Sequence, residues 1–314
     1  MAQNVADVMW EMLENAGVKR CYGIVGDALN PAIDALHRNG EIDFVHVRHE
    51  EYGVFAAVAD AYFTGKPVAV CGTVGPGVTH LFNGLMDARK EGAPIIAIAG
   101  DVETSLIDTA ALEELNPEQA RAVISTAILT AVIDRGPTVI SMPGDVAASE
   151  APSRIHKVTI PVTPVLRPAD ANLELLAAMI NDAKSVAIFG GDGCRHARDE
   201  VLALAARLKA PVGYSFRGKQ WLEHDNPNAV GMTGLLGYGG AYRAIHDAEL
   251  VLLLGTDFPF PEFLPGDGVK SADRSQTEAH RPPYYGRSRT CRRYKGDTGV
   301  PAAEGEPEER LSFA

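Results

Sequence analysis

Two bare apolar runs, PVAVCGT (residues 67–73) and APIIAIAG (residues 93–100), constrain the fold more than any other feature of this chain. A strand with one wet face alternates apolar and polar residues. These two do not alternate, so both their faces must be covered. Parallel strands inside an α/β sheet are in that position, and parallel neighbours need a long crossover between them, usually a helix. Residues 77–89 read as that helix. The same rhythm extends outward. Val5, Val8, Met9, Met12 and Leu13 mark a helix face stopped by Gly17, and RCYGIV (residues 20–25) reads as a strand. Pro31, Ile33 and Leu36 mark a helix with proline in its first turn, followed by the strand DFVHV and a helix over residues 50–63. A helix over residues 120–136 leads into the strand PTVISM. Residues 1–150 are therefore expected to form an α/β domain, a doubly wound parallel sheet with helices on both faces.

A proline-rich stretch with Pro161, Pro164 and Pro168 follows, so residues 151–170 read as a linker. Residues 171–270 carry a second α/β pattern. Leu173, Leu176, Met179 and Ile180 share a helix face, residues 201–208 are helical, and SVAIFGG, APVGYSF and AELVLLLG read as strands. A second, smaller doubly wound parallel sheet is expected. From residue 271 onward there is no isoleucine, one leucine and one valine. That is too little apolar surface to offset the entropy of ordering, so residues 271–314 are expected to be a disordered tail.

The net charge of −12 argues against a nucleic-acid surface, even though basic residues gather between Arg281 and Lys295. Cys21, Cys71, Cys194 and Cys291 form no metal-ligand spacing, which fits a reducing cytoplasm. Asp7 and Glu11 interrupt the N-terminal stretch where a signal peptide needs an unbroken apolar core, and no run reaches membrane-spanning length. A cytoplasmic protein is expected.

Glu50 and Glu51 stand where the strand DFVHV turns into a helix. A first-turn acid ordinarily complements the helix dipole and caps free N–H groups. Here the position is also the carboxyl edge of a parallel sheet, where such sheets bind ligands. The next strand ends in a glycine-rich loop, GTVGPGVTH (residues 72–80), which lets backbone approach a flat ligand. The Lys-Ser/Thr pair of a phosphate loop is missing, so an uncharged ring fits better.

The stretch VRHEEYGVFAAVADAYFTGKPVAVCGTVGPGVTHLFNGLMDARKEGAPIIAIAGD resembles the pyrimidine-binding domain of thiamine-diphosphate-dependent enzymes related to acetolactate synthase. Within that family the likeness is to pyruvate oxidase and pyruvate:quinone oxidoreductase, over residues 5–270. It implies that Glu50, directly after the His of RHE, hydrogen-bonds N1′ of the cofactor's aminopyrimidine and so activates the thiazolium for attack on the keto carbon of pyruvate. This requires a dry carboxyl group that shares a proton with the ring. Glu51 is left as a cap. By the same likeness Val25 and Gly26 face the pyrimidine, Thr73, Gly75, Pro76 and Gly77 line it, and Asn83 orders the loop. Val25 stands where the family has proline, and Asp101 where its pyruvate oxidases carry glutamine.

FGGDGCRHA and the later strand-end loops resemble the family's middle domain, which holds FAD in the oxidases. The likeness implies FAD contacts from Gly190, Arg217, Gly218, Lys219, Gly234, Leu235, Gly237, Gly255, Thr256 and Asp257. In the family, Mg²⁺ and diphosphate are held by a third domain, through Gly-Asp-Gly followed by paired asparagines. The triplets at Gly191 and Gly266 lack that sequel, so no metal ligand is named here. The chain is expected to be truncated before the third domain, shortened near residues 105–118, and shifted in reading frame near Lys270. On this reading it is a thiamine-diphosphate enzyme for a 2-oxo acid, inactive alone and homo-oligomeric by family likeness. A non-catalytic partner of a full-length homologue, an acetolactate-synthase-type carboligase and a plain nucleotide-binding module are the alternatives.

Overall fold

The computed structural model describes residues 3–104, 117–151, 158–161, 167–237, 239–258, 260–265 and 270–273. The chain divides into two units, Met1–Pro164 and Val165–Ala314. Among the described residues no helix is long and apolar enough to cross a membrane.

The first unit opens with α1 (Val5–Asn15). Its N-terminus is closed reciprocally: the Asn4 side chain accepts from the Asp7 N–H, and the Asp7 carboxylate accepts from the Asn4 N–H. The predicted face of α1 is buried, along with Trp10, whose indole N–H donates to the Ala32 carbonyl at 2.7 Å. There follow β1 (Arg20–Gly23), α2 (Asn30–Asn39), β2 (Asp43–His46), α3 (Glu50–Thr64), β3 (Val68–Gly72) and α4 (Pro76–Glu91). β4 (Ile95–Asp101), α5 (Ala120–Ile133), β5 (Thr138–Pro143) and the short α6 (Gly144–Ala148) complete it. All five strands are parallel, in the order β2-β1-β3-β4-β5.

The bare apolar runs are explained by the two cores that flank this sheet. Ala69 and Cys71 of β3 join the core with α1, α2 and α5, whereas Val68 and Val70 join the one with α3 and α4. Ile96 and Ile98 of β4 take the first side and Ile95 and Ala97 the second. Each fully buried isoleucine contributes about 1.5–3 kcal/mol, so a polar residue at any of these positions is costly. Cys21 is pushed well above its ordinary pKa by a hydrogen bond with Cys71 and by burial, which makes it an inert core thiol. The strand order reverses direction between β1 and β3. In such sheets that reversal opens a crevice at the carboxyl ends of the strands.

The second unit runs α7 (Asp170–Asp182), β6 (Val186–Gly190), α8 (Arg198–Leu208), β7 (Val212–Tyr214), α9 (Lys219–Leu222), β8 (Ala229–Met232), α10 (Gly239–Asp247), β9 (Leu250–Leu254) and β10 (Lys270–Asp273). Its sheet is also parallel, in the order β10-β9-β6-β7-β8, and reverses between β6 and β9. This is the other common doubly wound order.

Several expectations need amendment. β1 ends at Gly23, because Ile24 and Val25 already leave the sheet. β8 and α10 were not legible: β8 is a half-buried edge strand with Gly231 at φ 94°, and α10 starts with two glycines. The α/β pattern also does not stop at Lys270, since Lys270–Asp273 pairs with Leu250–Leu253 as a fifth parallel strand. The rest of the expected tail, both the basic cluster and Cys291, lies outside the described residues, as do residues 105–116 and the triplet at Gly266.

Candidate functional site

The first turn of α3 stands at the carboxyl edge because α3 follows β2 directly. His49 caps it, with its Nδ1 accepting from the Glu51 N–H at 3.3 Å. Glu50 then points inward and is only 6% exposed. Its Oε2 lies 3.0 Å from His80 Nδ1, on the first turns of α4. Its Oε1 faces Gly77, where an added Cβ would stand 3.2 Å away. The loop between β3 and α4 turns at Gly75, whose φ of 73° and ψ of −119° suit glycine alone.

The loops after β1 and β3 meet across the reversal of strand order. A Cβ on Gly26 would strike the Thr73 side chain at 2.5 Å, so steric contact rather than backbone conformation requires glycine there. A Cβ on Gly77 would touch Thr73 Cγ2 at 3.1 Å as well as Glu50. Gly26, Thr73, Gly77 and Glu50 therefore meet at the carboxyl edge, where such a reversal opens a crevice, with Gly75 and Pro76 exposed beside them and Val25 about half exposed. This arrangement offers one dry carboxyl group, close backbone and, among the residues named, two imidazoles but no lysine or arginine. It fits a flat neutral heterocycle and not a phosphate.

Asn83 falls elsewhere. Its amide donates to the Glu51 carboxylate, tying α4 to α3 one step away from the crevice. Asp101 accepts from the Val102 N–H at 2.8 Å and from the Ser141 hydroxyl at 2.7 Å, a tie between the ends of β4 and β5. His80 was not singled out from the sequence. Its distance of three residues from Gly77 puts it on the same helix face, and that spacing was the available signal. Its ring also stacks on that of His49, with centroids 4.4 Å apart. His49, Glu50 and His80 offer ligand atoms within 4.8 Å of one another, a possible cation cluster that the sequence reading did not name.

In the second unit the glycines after β6 and β9 pack on one another. A Cβ on Gly191 would meet the Gly255 carbonyl at 2.3 Å, and one on Gly218 the Gly190 carbonyl at 2.4 Å. Arg217 bonds Asp192 at 3.1 Å, and Lys219 pairs with Glu223. A diphosphate there has to displace these carboxylates. Thr256 is buried, with its hydroxyl accepting from the Phe258 N–H at 3.3 Å, while Asp257 is exposed. Gly234 lies against the Phe258 ring and Gly237 against Thr233. Leu235 is exposed, as are Phe216 and Leu236, which the sequence reading passed over.

Comparison with known proteins adds to this geometry. The family model for the N-terminal TPP binding domain of thiamine pyrophosphate enzymes matches residues 3–121, and that for their central domain matches residues 173–281. The chain belongs to the thiamine pyrophosphate enzyme family. The first match contains the whole Glu50 crevice, and the second takes in β10 and continues past Lys270, where the likeness was expected to end. Thiamine diphosphate is the cofactor of this family.

Among relatives, an uncharacterized 42.6 kDa protein of Pseudomonas amyloderamosa is 42% identical over 84% of this chain and 71% of its own length. The putative thiamine pyrophosphate-containing protein YdaP of Bacillus subtilis is 35% identical over 85% of this chain and 50% of its own length. Pyruvate oxidase of Lactiplantibacillus plantarum is 32% identical over 80% of this chain and 45% of its own length. The chain thus spans half or less of the last two.

Proposed function

We propose that this chain holds the pyrimidine-binding and central parts of a thiamine-diphosphate-dependent enzyme acting on a 2-oxo acid, of pyruvate oxidase or pyruvate:quinone oxidoreductase type. The observation that carries the reading is Glu50: a carboxylate buried at the carboxyl edge of the sheet, with one oxygen held by His80 and the other turned to the glycine-lined crevice.

When bound, thiamine diphosphate supplies the electron sink for a 2-oxo acid losing CO₂. The chain's own residues do the rest. Glu50 holds a proton at a ring nitrogen, and His80 fixes which carboxylate oxygen faces the ring. Gly75 and Gly77 let the β3–α4 loop come close, and Gly26 lets the opposing loop close on Thr73. Burial keeps water from competing for the carboxyl group.

Mg²⁺ and diphosphate need a Gly-Asp-Gly motif followed by paired asparagines, and no adjacent asparagines occur in these 314 residues. The crevice alone offers a few neutral hydrogen bonds at about 0.5–1.5 kcal/mol each. Association costs several kcal/mol, so binding of the ring alone is expected in the millimolar range or weaker. For the central unit, FAD is proposed at the β6–β9 reversal, next to exposed Phe216 and Leu235, with Arg217 exchanging Asp192 for the diphosphate.

One set of assays tests these statements. The purified 314-residue chain with pyruvate, thiamine diphosphate, Mg²⁺, FAD and a dye acceptor is expected to release no CO₂ above background, and to quench flavin fluorescence on titration. Thiamine-diphosphate-dependent turnover would contradict the expectation that these 314 residues do not anchor the diphosphate. Unquenched FAD at tens of micromolar protein would remove flavin from the proposal.

A further inference from the structure

His49, Glu50 and His80 bring more chemistry to the carboxyl edge than an aminopyrimidine uses. Two part-exposed imidazoles flank the buried carboxylate, with 37% of the His49 side chain and 42% of the His80 side chain open to solvent. One ligand atom from each of the three residues lies within 4.8 Å of the other two. Glu50 Oε2 and His80 Nδ1 are already 3.0 Å apart. On a tetrahedral zinc ion, with nitrogen and oxygen donors at about 2.0–2.2 Å, two donors stand ~3.3–3.5 Å from one another. A metal ion can therefore replace the proton between Glu50 and His80 if the pair opens by roughly a few tenths of an ångström. The third donor has to close by roughly 1–1.5 Å at most, which a side-chain rotation supplies.

The surroundings suit such an ion. His49 and Glu50 come from the start of α3 and His80 from the first turns of α4, two helices packed tightly at Gly84 and Val54, so the backbone fixes where the donors begin. His49 is lightly held: its Nδ1 accepts from the Glu51 N–H at 3.3 Å, and its ring stacks on that of His80 with a tilt of 28°. Glu51 Oε2 stands 3.9 Å from the same Nδ1, and Asn83 holds the Glu51 carboxylate. A carboxylate behind a ligating imidazole is the usual outer support of a metal site. Two imidazole nitrogens and one carboxylate oxygen select Zn²⁺, Co²⁺ and their neighbours, whereas Mg²⁺ and Ca²⁺ take oxygen donors. Three protein donors leave a fourth position to water, and the exposed imidazole edges give the ion a way in. The net charge of −12 favours the approach of a cation.

We propose that His49, Glu50 and His80 form a binding site for a zinc-type transition-metal dication, and that a metal held there shuts the crevice to an aminopyrimidine. A carboxylate committed to a dication is no longer able to hold a proton at a ring nitrogen, so the two ligands exclude each other. The metal site stands on the three side chains alone. The exclusion rests on the aminopyrimidine reading of the crevice.

Metal titration of the full 314-residue chain tests both halves. Co²⁺ is expected to give a saturable visible absorption with one ion per chain, and Zn²⁺ is expected to displace it. His49→Ala, Glu50→Gln and His80→Ala are each expected to weaken Zn²⁺ binding at least ~10-fold with unchanged circular dichroism. Saturating Zn²⁺ is expected to abolish the amide shifts that thiamine causes around Glu50, and a chelator to restore them. The absence of saturable Co²⁺ and Zn²⁺ binding overturns the metal site, and so does binding that none of the three substitutions weakens, because the ion is then held elsewhere. Thiamine shifts undiminished by bound Zn²⁺ overturn the exclusion. Zn²⁺ binding that depends on the three residues, in a chain that shows no thiamine shifts even after chelation, confirms the metal site and removes the aminopyrimidine reading instead.

Discussion

Glu50 owes its position to its neighbours more than to its own chemistry. His49 caps α3 and sets the start of the helix, Gly77 leaves space for Oε1, and His80 holds Oε2. Gly77→Ala tests the closest of these contacts. The new methyl would stand 3.1 Å from Thr73 Cγ2 and 3.2 Å from Glu50 Oε1, so one of them has to yield by a few tenths of an ångström. A gain of about 1 kcal/mol in helix propensity offsets that crowding, and the urea midpoint is expected to move little. Binding of thiamine is expected to weaken, because the new methyl crowds both Thr73 and the Glu50 carboxylate. The placement of Glu50 and the glycines was legible because a strand–helix junction and a glycine loop are local patterns. The His80 contact was not, since it depends on how α4 is seated against α3. Nor was the Arg217–Asp192 pair, whose members lie 25 residues apart.

At the scale of elements, α3 is held on two sides. Toward α4 the closest approach is at Gly84, where a Cβ would meet Val54 Cβ at 2.4 Å. Overpacking costs about 1–3 kcal/mol, more than the ~1 kcal/mol that alanine gains in helix propensity. Gly84→Ala is therefore expected to lower the denaturant midpoint by an amount equivalent to ~1–2 kcal/mol, and an unchanged midpoint would show that the helices can separate without cost. Toward β1, Asp60 accepts from Arg20 at 2.6 and 2.7 Å and from the Tyr22 hydroxyl at 3.2 Å. The hydrogen bonds from Arg20 hold its carboxyl below the usual carboxylate range. A depressed pKa contributes stability that is present above the ordinary carboxylate range and lost as pH falls through the depressed value. Asp60→Asn should thus cost about 1–2 kcal/mol at neutral pH, a figure kept low because Arg20 is more than a third exposed. In strong acid the stabilities of the variant and the wild type should converge, which urea melts across pH will show. Strands buried on both faces were legible as bare apolar runs. The edge strands β8 and β10 were not, because an edge needs little apolar sequence to pair on one side.

For the whole molecule, two parallel sheets each reverse strand order once, and each reversal gathers the loops that the sequence had marked. The first gathering gives a crevice with a dry carboxyl group, and the second gives glycine loops closed on one another with their basic residues already paired. The central claim is therefore that the first crevice takes an aminopyrimidine through Glu50. Amide chemical shifts of the full chain, followed while thiamine is added to tens of millimolar, test this most directly. Shifts confined to Val25, Gly26, Glu50 and the Thr73–His80 region, and abolished in Glu50→Gln, are the predicted result. No shifts at all, or shifts gathered at residues 190–257 and unaffected by that substitution, would contradict it.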